Sequence, residues 1–319
     1  MSKVLIVGEI LIDLVENENG FKYSIGGAPF NVAYNMSSLG DEVTFVGQVG
    51  DDYFGNFILD KLREKDNLTL SIEKLKDKNT TIALNVIDGK NRKYSFIRKN
   101  TADYAYNSDF LKNIDLQNYD LLHLGSLFLS DENSRKVIKE LIKKAKEHNI
   151  PVSFDVNFRP DIFGESDNVF EIYKDIFNEV DLIKFSDEET EFFFKDAKTD
   201  REIFDKLNSK CLLISKGSKG AEVLTEKDTY MHNSFKVKIK DTVGAGDSFY
   251  SGFLHCYLNL KSSDNDYIHS ALEFACACGA LTCMQNGALN GYKNEKDVLN
   301  FLKKSIVRKS DLRFLQFNK

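Results

Sequence analysis

The sequence predicts an α/β protein whose doubly wound, mostly parallel sheet is flanked by helices, with a small separate β element. Short apolar runs recur along the chain, and from residue 119 onward they alternate with helix-like stretches. This alternation is typical of right-handed βαβ units in a parallel sheet. The small element is predicted from residues 80–88 and 92–98, two strand-like runs on either side of Gly89-Lys90-Asn91, because that pattern indicates a tight hairpin.

The amino-terminal part supplies elements with clear boundaries. Apolar runs that end in Gly predict buried strands, whereas Pro in a first turn and Gly after a last turn delimit helices. Strands are expected at residues 3–8 and 43–47, and helices at residues 28–39 and 50–65. Asp13 lies inside another apolar run, where a carboxylate is costly to bury without partners. It therefore stands either at a solvent-facing strand edge or at a binding site.

The remaining elements alternate regularly. Strands are expected at residues 120–124, 151–155, 181–185 and 212–215, and helices at residues 131–148, 169–177, from 187 onward and 271–284. In open sheets of this kind, ligands bind outside the carboxyl ends of the strands. Asp155 ends one such strand, and Asn157 and Arg159 follow it. The tail after Val307 is not assigned to any element.

Composition excludes several functional classes. The chain has 319 residues, a formal charge of -6 and a pI near 5.5, which argues against nucleic acid or an anionic membrane as a partner. No apolar run approaches the length of a membrane-spanning helix. The five cysteines show no C-x-x-C spacing and no even count for a disulfide framework, so we expect a cytoplasmic protein.

Residues 241–249, which read D-T-V-G-A-G-D-S-F, carry the strongest chemical signal. Gly244 and Gly246 permit a turn whose amides at Ala245, Gly246 and Asp247 point outward at a helix N-terminus, forming an anion hole. A carboxylate there would repel a phosphate, so Asp247 makes sense as a base for a hydroxyl that attacks phosphorus. An ordinary Asp, with a pKa of about 3.9, is a weak base, but a loose transition state requires little early proton abstraction. The structural alternative is a helix cap.

At this point a resemblance to a known family becomes visible. Residues 241–253 resemble the carboxyl-terminal signature of the PfkB (ribokinase-like) carbohydrate kinases, and residues 26–33, G-G-A-P-F-N-V-A, resemble the amino-terminal one. Residues 94–103 are similar to the F-x-F-x-R-x-x-x-A-D pattern of fructokinases. The resemblance implies a ribokinase-like fold in a single domain over residues 1–319. It also implies a small β lid over the sugar, with strands within residues 9–25 and 80–106, and a homodimer.

The resemblance also implies a set of site residues. The sugar pocket is expected to be formed by Asp13, Gly26, Gly27, Asn31, Phe96, Arg98 and Arg159. Catalysis is expected from Asp247 with an anion hole at Gly244, Ala245 and Gly246. ATP is expected to contact Asn157, Lys184, Ser215, Gly217, Gly220 and Cys276. Magnesium is expected near Glu189, through water, and a monovalent cation, potassium, at Asp241.

Each of these assignments has a structural alternative. Phe96 could be a core aromatic residue, Arg98 a surface residue and Arg159 a member of a structural ion pair. Glu189 could close a capping box, and the Gly217 loop could be an ordinary turn. The chain has no G-x-x-x-x-G-K-[ST] loop, so the phosphates must be held in another way. Ser186 stands where the family has Asn, and Cys276 stands where relatives often have a polar neighbour of adenine.

The resulting functional prediction is a phosphotransferase with an alcohol group as acceptor. It would be an ATP-dependent sugar kinase that forms fructose 6-phosphate, with ATP, magnesium and potassium in the site. Within the same chemistry, 2-keto-3-deoxygluconate, ribose or a nucleoside could be the substrate, because a few pocket residues decide this. Arg98 and its surrounding pattern favour fructose over ribose. The alternative from another class is a catalytically silent scaffold, since a fold alone does not guarantee activity.

Overall fold

The computed structural model describes residues 1–62, 67–88, 91–164, 167–260, 266–292 and 294–306. The strands are β1 Lys3–Val7, β2 Leu11–Asn17, β3 Gly20–Gly26, β4 Glu42–Gly50, β5 Leu68–Leu75, β6 Ile82–Asp88, β7 Asn91–Ile97, β8 Leu121–Leu124, β9 Val152–Asp155, β10 Leu182–Ser186, β11 Cys211–Ser215, β12 Ala221–Thr225 and β13 Thr229–His232. The helices are α1 Ala28–Leu39, α2 Tyr53–Lys61, α3 Glu132–Glu147, α4 Pro160–Phe163, α5 Asp167–Phe177, α6 Asp187–Phe193, α7 Asp200–Asp205, α8 Ala245–Asn259, α9 Asp266–Cys283 and α10 Glu295–Ile306.

Nine strands form the main sheet, in the order β13-β12-β11-β10-β9-β8-β1-β4-β5. All neighbouring strands between β11 and β5 in this order pair in parallel. At the other end of the sheet, β12 pairs antiparallel with both β11 and β13. The chain leaves β1 toward β4 and β5, then returns to β8 on the other side of β1. This reversal of direction makes the sheet doubly wound, so that part of the fold prediction is confirmed.

Helices cover both faces of the main sheet because neighbouring residues of a strand point to opposite sides. In β1, Val4 and Ile6 belong to one apolar core, with residues of α1, α8 and α9, whereas Leu5 and Val7 belong to the other, with residues of α3 and α5. Burial on both faces explains why the parallel strands read as continuous apolar runs.

Helix α1 illustrates how local sequence sets the boundaries. Pro29 occupies its first turn, and Gly40 ends it in the left-handed conformation with φ of 107°. The amide of Gly40 is directed at the last carbonyls of the helix, those of Met36 and Ser37. Both boundary signals read from the sequence are therefore confirmed at this helix.

A second sheet of four strands, in the order β3-β2-β6-β7, stands apart from the main one. We call it the small sheet. Strands β6 and β7 pair antiparallel, as predicted for the hairpin, although residues 89 and 90 of its turn lie outside the described residues. Strands β2 and β3 form a second antiparallel pair. The two pairs are joined because β2 pairs in parallel with β6. The small sheet follows β1 directly, so the end of β1 leads straight into it.

Some elements differ from the sequence prediction. Strand β5 was not predicted, although its apolar residues alternate with polar ones, as an edge strand with one covered face requires. Strands β12 and β13 and helices α7 and α10 were likewise missed. Helix α9 begins at Asp266, five residues before the predicted start. The predicted end of α2 at Lys65 and the tail after Val307 lie outside the described residues. No helix in the described part of the chain is long and apolar enough to cross a membrane.

Candidate active site

The candidate site lies where the winding of the main sheet reverses, between β1 and β8. In open α/β sheets the carboxyl ends of strands at such a point border a crevice that binds ligands. Residues that follow β1, β9 and β10 meet the N-terminal ends of α1 and α8 near this point, as the contacts below describe. The sequence analysis predicted ligand binding at the carboxyl ends of the strands, where it placed Asp155, Asn157 and Arg159.

Helix α8 begins at the glycine-spaced stretch. Gly244 adopts φ of 75°, and a Cβ placed on it would lie 2.3 Å from Cβ of Ala288, so only glycine fits. The amide of Ala245 donates to the carbonyl of Thr242 at 3.2 Å. It is therefore not an open donor, contrary to the expectation. The amides of Gly246 and Asp247 donate to no residue that the structure describes, and they lie at the positive end of the helix.

Asp247 is held by Asn31, a residue of α1. Nδ2 of Asn31 donates to Oδ2 of Asp247 at 2.7 Å, which fixes the carboxylate and leaves its other oxygen for a ligand. Removal from water and repulsion by Asp155 raise the pKa of Asp247 to about 6, against the lowering effects of Asn31, Lys184 and Arg159. Asp247 is thus a better base at neutral pH than an ordinary aspartate.

A buried ion pair lies beside α8. Nζ of Lys184, on β10, donates to Oδ1 and Oδ2 of Asp155, at the end of β9, at 2.9 and 3.2 Å. Burial alone would lower the pKa of Lys184, but Asp155, Glu189 and Asp247 together raise it. A Cβ on Gly246 would lie 3.6 Å from this ammonium. A fixed positive charge therefore stands next to the open amides of α8.

Asp13 lies on β2 of the small sheet, against two glycines. A Cβ on Gly26 would lie 2.0 Å from Oδ2 of Asp13, and a Cβ on Gly27, where φ is 111°, would lie 2.5 Å from the carbonyl oxygen of Glu9. Burial and repulsion by Asp247 raise the pKa of Asp13 to about 7, while Arg159 acts in the opposite direction. Gly26 thus makes room for this carboxylate, whereas Gly27 lets the chain approach the backbone of Glu9 closely.

Glu189 closes a capping box at the start of α6. Its two carboxylate oxygens accept hydrogen bonds from the amides of Phe158 and Ser186, both at 2.7 Å, and its own amide donates to Oγ of Ser186. The structural alternative weighed for Glu189 is therefore present. Its role near magnesium stays a prediction. In the described part of the chain, no group of three or more His, Cys, Asp or Glu residues is arranged to hold a metal ion.

Asn157 and Arg159 occupy the segment between β9 and α4. Asn157 has a positive φ of 34°, a conformation that costs energy for a residue with a side chain and that clusters at functional sites. Arg159 is the N-cap residue of α4. Its charge lowers the pKa values of both Asp13 and Asp247, so it lies within electrostatic reach of both carboxylates.

Phe96 lies on β7, and Arg98 directly follows the end of that strand. Phe96 packs on a small apolar cluster that contains Leu11, Ala83 and Leu127. Nε of Arg98 donates to Asp103, and the other two nitrogens donate to Ser130 and to the carbonyl of Leu127. Arg98 is therefore more than a surface residue. Whether either side chain touches a sugar stays a prediction.

Besides Asn157 and Lys184, the predicted nucleotide residues lie in two places. Ser215 ends β11, and the loop that follows contains Gly217 and Gly220, with φ of 52° and 106°. A Cβ on Gly220 would lie 2.0 Å from the carbonyl oxygen of His232, so this loop is built closely onto β13. Cys276 is only 8% exposed and belongs to the apolar core that includes α9. Their contacts with ATP stay predictions.

Asp241 joins the start of the α8 stretch to the loop after α9. Its carboxylate accepts hydrogen bonds from the amides of Val243 at 3.2 Å and Gly287 at 3.0 Å. The amide of Lys240 donates to the carbonyl of Cys283 at 2.8 Å. The structure brings together the two segments of the expected cation site, while the cation itself stays a prediction.

Sequence reasoning missed three site residues. Asp155 was noticed but not assigned, although a buried acid after a strand requires a partner. Lys216 forms ion pairs with Asp200 and Glu222 at 2.6 and 3.0 Å beneath the Gly217 loop, and no local pattern signals that triad. Glu9 is 1% exposed, and burial raises its pKa to about 8. An acid inside an apolar run was the available signal for Glu9.

Comparison with known proteins identifies the family. A family model described as pfkB family carbohydrate kinase matches residues 1–295. The chain belongs to this family. The membership that the two signatures at residues 26–33 and 241–253 predicted is therefore confirmed.

Individual members of the pfkB family match almost end to end. A probable fructokinase-2 of Arabidopsis thaliana is 32% identical over 315 residues, covering 94% of this chain and 95% of the relative. A fructokinase of Vibrio alginolyticus is 30% identical over 311 residues, covering 95% and 99%. The chain thus resembles fructokinases of plants and bacteria over nearly its whole length.

Solved structures of fructokinases share the fold. The crystal structure of a fructokinase with bound ATP from Xylella fastidiosa has a TM-score of 0.88 and 27% identity, covering 95% of this chain and 98% of that one. A fructokinase double mutant from Vibrio cholerae O395, with fructose, ADP and potassium bound, has a TM-score of 0.86 and 27% identity, with the same coverage. The predicted ribokinase-like fold is confirmed.

Proposed function

We propose that this pfkB family member is an ATP-dependent fructokinase that transfers the γ-phosphoryl group to the 6-hydroxyl of fructose. The observation that carries the proposal is the pairing of Asp247 with Asn31 at 2.7 Å, beside the two open amides of α8 and the ammonium of Lys184. A base, an anion hole and a fixed cation are the parts that phosphoryl transfer requires. The fructokinase relatives support fructose as the acceptor.

The sugar would lie between the small sheet and the start of α1. Oδ1 of Asn31 is buried and accepts no hydrogen bond from the described residues, so it remains for a sugar hydroxyl. Asp13, whose carboxylate fits closely against Gly26, would accept hydrogen bonds from the sugar hydroxyls. Phe96 and Arg159 would border the same pocket. Asp247 would then take the proton from the attacking hydroxyl while the Gly246 amide and Lys184 stabilise the charge on the phosphoryl oxygens.

The nucleotide would lie over the carboxyl ends of β10 and β11. Asn157, Ser215, Gly217, Gly220 and Cys276 would line its path, with Lys216 and its two carboxylate partners holding the loop in place. Magnesium, when bound, would neutralise charge on the ATP phosphates. Magnesium commonly takes one or two carboxylates together with phosphate and water. Glu189, reached through a water molecule, fits that use.

Potassium would bind at Asp241 and the loop after α9, because a carboxylate next to loop carbonyls is a suitable oxygen-rich site. We expect the activity to rise when potassium replaces tetramethylammonium at constant ionic strength. Asp241→Asn should remove most of that response and leave the activity without potassium nearly unchanged. An identical response in the wild type and the variant would place the ion elsewhere.

A homodimer would be formed through the small sheet. Phe21 and Tyr23, two residues apart on β3, are 52% and 38% exposed, and large exposed apolar side chains on one strand often mark an interface. Sedimentation velocity of the wild type and of Phe21→Ser tests this proposal.

The five cysteines are all free thiols, in agreement with a reducing cytoplasm.

The decisive experiment is ADP release with Mg-ATP across fructose, ribose, 2-keto-3-deoxygluconate, adenosine and glucose. Fructose should give the highest kcat/KM, and Asp247→Ala should lower it at least about a hundredfold, as expected for a general base. If another sugar gives the highest kcat/KM and Asp247→Ala is still inactive, the result supports the role of Asp247 but excludes fructose as the preferred acceptor. If nothing turns over, the scaffold alternative takes its place.

A further inference from the structure

Arg98 connects the small sheet to the main body of the protein. It lies directly after β7, and its Nε donates to Oδ2 of Asp103 at 2.6 Å. Its other nitrogens donate to Oγ of Ser130 at 2.6 Å and to the carbonyl oxygen of Leu127 at 2.9 Å. The side chains of Arg98 and Asp103 are 8% and 1% exposed. Every nitrogen of the guanidinium group is therefore already bound to the protein.

Asp103 extends this connection to the strand that carries Asp13. Its Oδ1 accepts hydrogen bonds from the hydroxyls of Thr81 at 2.5 Å and Thr101 at 2.7 Å. The carbonyl of Thr81 in turn accepts from the amide of Ile12 at 3.0 Å. Ile12 precedes Asp13 on β2. An unbroken series of hydrogen bonds thus links Arg98 to the backbone beside Asp13.

An apolar contact follows the same route. Phe96 packs on Leu11, Ala83 and Leu127, and Leu127 also supplies the carbonyl that Arg98 binds. Phe96 and Ala83 are paired across β6 and β7. The main body thus contacts the small sheet through the apolar side chain of Phe96, near the end of β7, and through the polar contacts of Arg98, directly after that strand.

We infer that Arg98 and Asp103 are positioning residues, which fix the small sheet on the main body and so hold Asp13 at the sugar without touching the sugar themselves. The inference rests on the proposed kinase function, and it replaces the direct sugar contact that the fructokinase pattern suggested for Arg98. A buried charge pair suits this role because loss of either partner leaves the other uncompensated. Lysine could not replace arginine here, because an ammonium cannot reproduce three diverging hydrogen bonds in one plane.

The first test does not depend on activity. Hydrogen exchange of backbone amides should be faster in residues 11–17 and 81–86 of Arg98→Met and Asp103→Asn than in the wild type, because the network that clamps those strands is broken. Thr81→Val, which removes a single hydrogen bond, should show the same change on a smaller scale. Lys99→Met is the matched control, since Lys99 is an exposed neighbour, and it should exchange like the wild type. Unchanged exchange in both network variants would overturn the inference.

The second test uses kinetics with fructose and its deoxy analogues. Arg98→Met and Asp103→Asn should each raise KM for every sugar by about tenfold, and the double variant should be no worse than either single one, because both break the same connection. KM for ATP should change by less than about twofold. A loss confined to sugars that carry one particular hydroxyl, or effects that multiply in the double variant, would show Arg98 to be a sugar ligand instead. If the wild type phosphorylates no sugar, the proposed function fails, whereas the exchange test still decides the positioning role.

Discussion

Nζ of Lys184 lies 2.9 Å from Oδ1 of Asp155, and the two residues are directly paired in register on β10 and β9. Their side chains are 8% and 3% exposed. Next to this ammonium is Gly246, whose absent side chain leaves the first turn of α8 open. Asp155 thus balances a charge that faces the expected phosphates. In the proposed mechanism one ion pair has both a structural role and a catalytic role, and mutation can separate the two roles.

The catalytic role predicts a loss of activity in Lys184→Met. Without the ammonium, charge on the transferred phosphoryl group is less well stabilised, so kcat should fall about a hundredfold or more. The variant should also lose about 3–5 kcal/mol of unfolding free energy, because Asp155 is left buried and unpaired. Steady-state kinetics and urea unfolding measure the two effects.

Combining Lys184→Met with Asp155→Asn separates the effect on kcat from the effect on the free energy of unfolding. The second change removes the unpaired charge, so the double variant should regain much of the unfolding free energy while kcat stays low. Recovery of both quantities together would mean that Lys184 only supports the fold, and that the phosphates are held by other groups.

The pKa of Asp247 predicts an acidic limb in the pH dependence of kcat/KM for the sugar. Asp247 must be unprotonated to act as a base, and its pKa is raised to about 6. The rate should therefore fall as the pH drops through about 6. Asp13, with a pKa raised to about 7, should add a rise in KM for the sugar over the neighbouring range. Activity that stays constant from pH 8 to pH 5 would contradict both assignments.

The same raised pKa predicts that the catalytic carboxylate costs stability. In the folded protein Asp247 holds its proton up to about pH 6, whereas the ordinary value is 3.8, so the free energy of unfolding falls as the pH rises between these values. Above pH 6 the whole penalty is present. Asp247→Asn should therefore raise Tm at pH 7.5 and raise it less at pH 5, while activity is lost. Calorimetry at the two pH values tests the sign.

Gly244→Ala should disturb the α8 turn. The new Cβ would meet Ala288 at 2.3 Å in a backbone with φ of 75°, so both strain and a clash are introduced. We expect a loss of about 2–4 kcal/mol of unfolding free energy and a clear fall in kcat. Gly40→Ala is the matched control, because Gly40 has φ of 107° but no atom within 4 Å of its would-be Cβ. An equal effect in the two variants would exclude close packing at Gly244 as the cause.

His255 predicts a pH-dependent stability away from the site. Burial alone would lower its pKa, but hydrogen bonds with Asp41 and Glu295 raise it from 6.5 to about 9, and its Nδ1 lies 2.8 Å from Oδ2 of Asp41. The resulting stability is fully present below about pH 6.5 and is lost as the pH rises through about 9. Tm should therefore fall over that range in the wild type and fall less in His255→Gln. His148→Gln, at an exposed histidine after α3, should behave like the wild type.

Much of the architecture could be read from local patterns because those patterns report burial. Continuous apolar runs such as β1 and β11 must be covered on both faces, and this requirement predicts a parallel sheet with helices on each side. Strand β5 was missed even though it alternates, since a single edge strand has few apolar positions. The antiparallel strands β12 and β13 were missed because nothing local distinguishes them from a long loop.

For the candidate site too, local patterns identified some features and not others. The signatures at residues 26–33 and 241–253 identified the segments, because glycines that admit a close approach have a fixed spacing in the chain. Their side-chain partners could not be read in this way. Asp247 is 216 residues from Asn31, and Arg98 is bound by Asp103, Ser130 and Leu127, which a sequence pattern does not place around it.

The sequence by itself determined the family, the parallel sheet and the residue types that the chemistry needs. Only the tertiary structure decided that the Ala245 amide is engaged, that Lys184 pairs with Asp155 and that Asp247 has a pKa of about 6. The physical reason is that burial, charge and hydrogen bonding between distant segments depend on distance in space. Those distances are set when β9, β10, α1 and α8 come together.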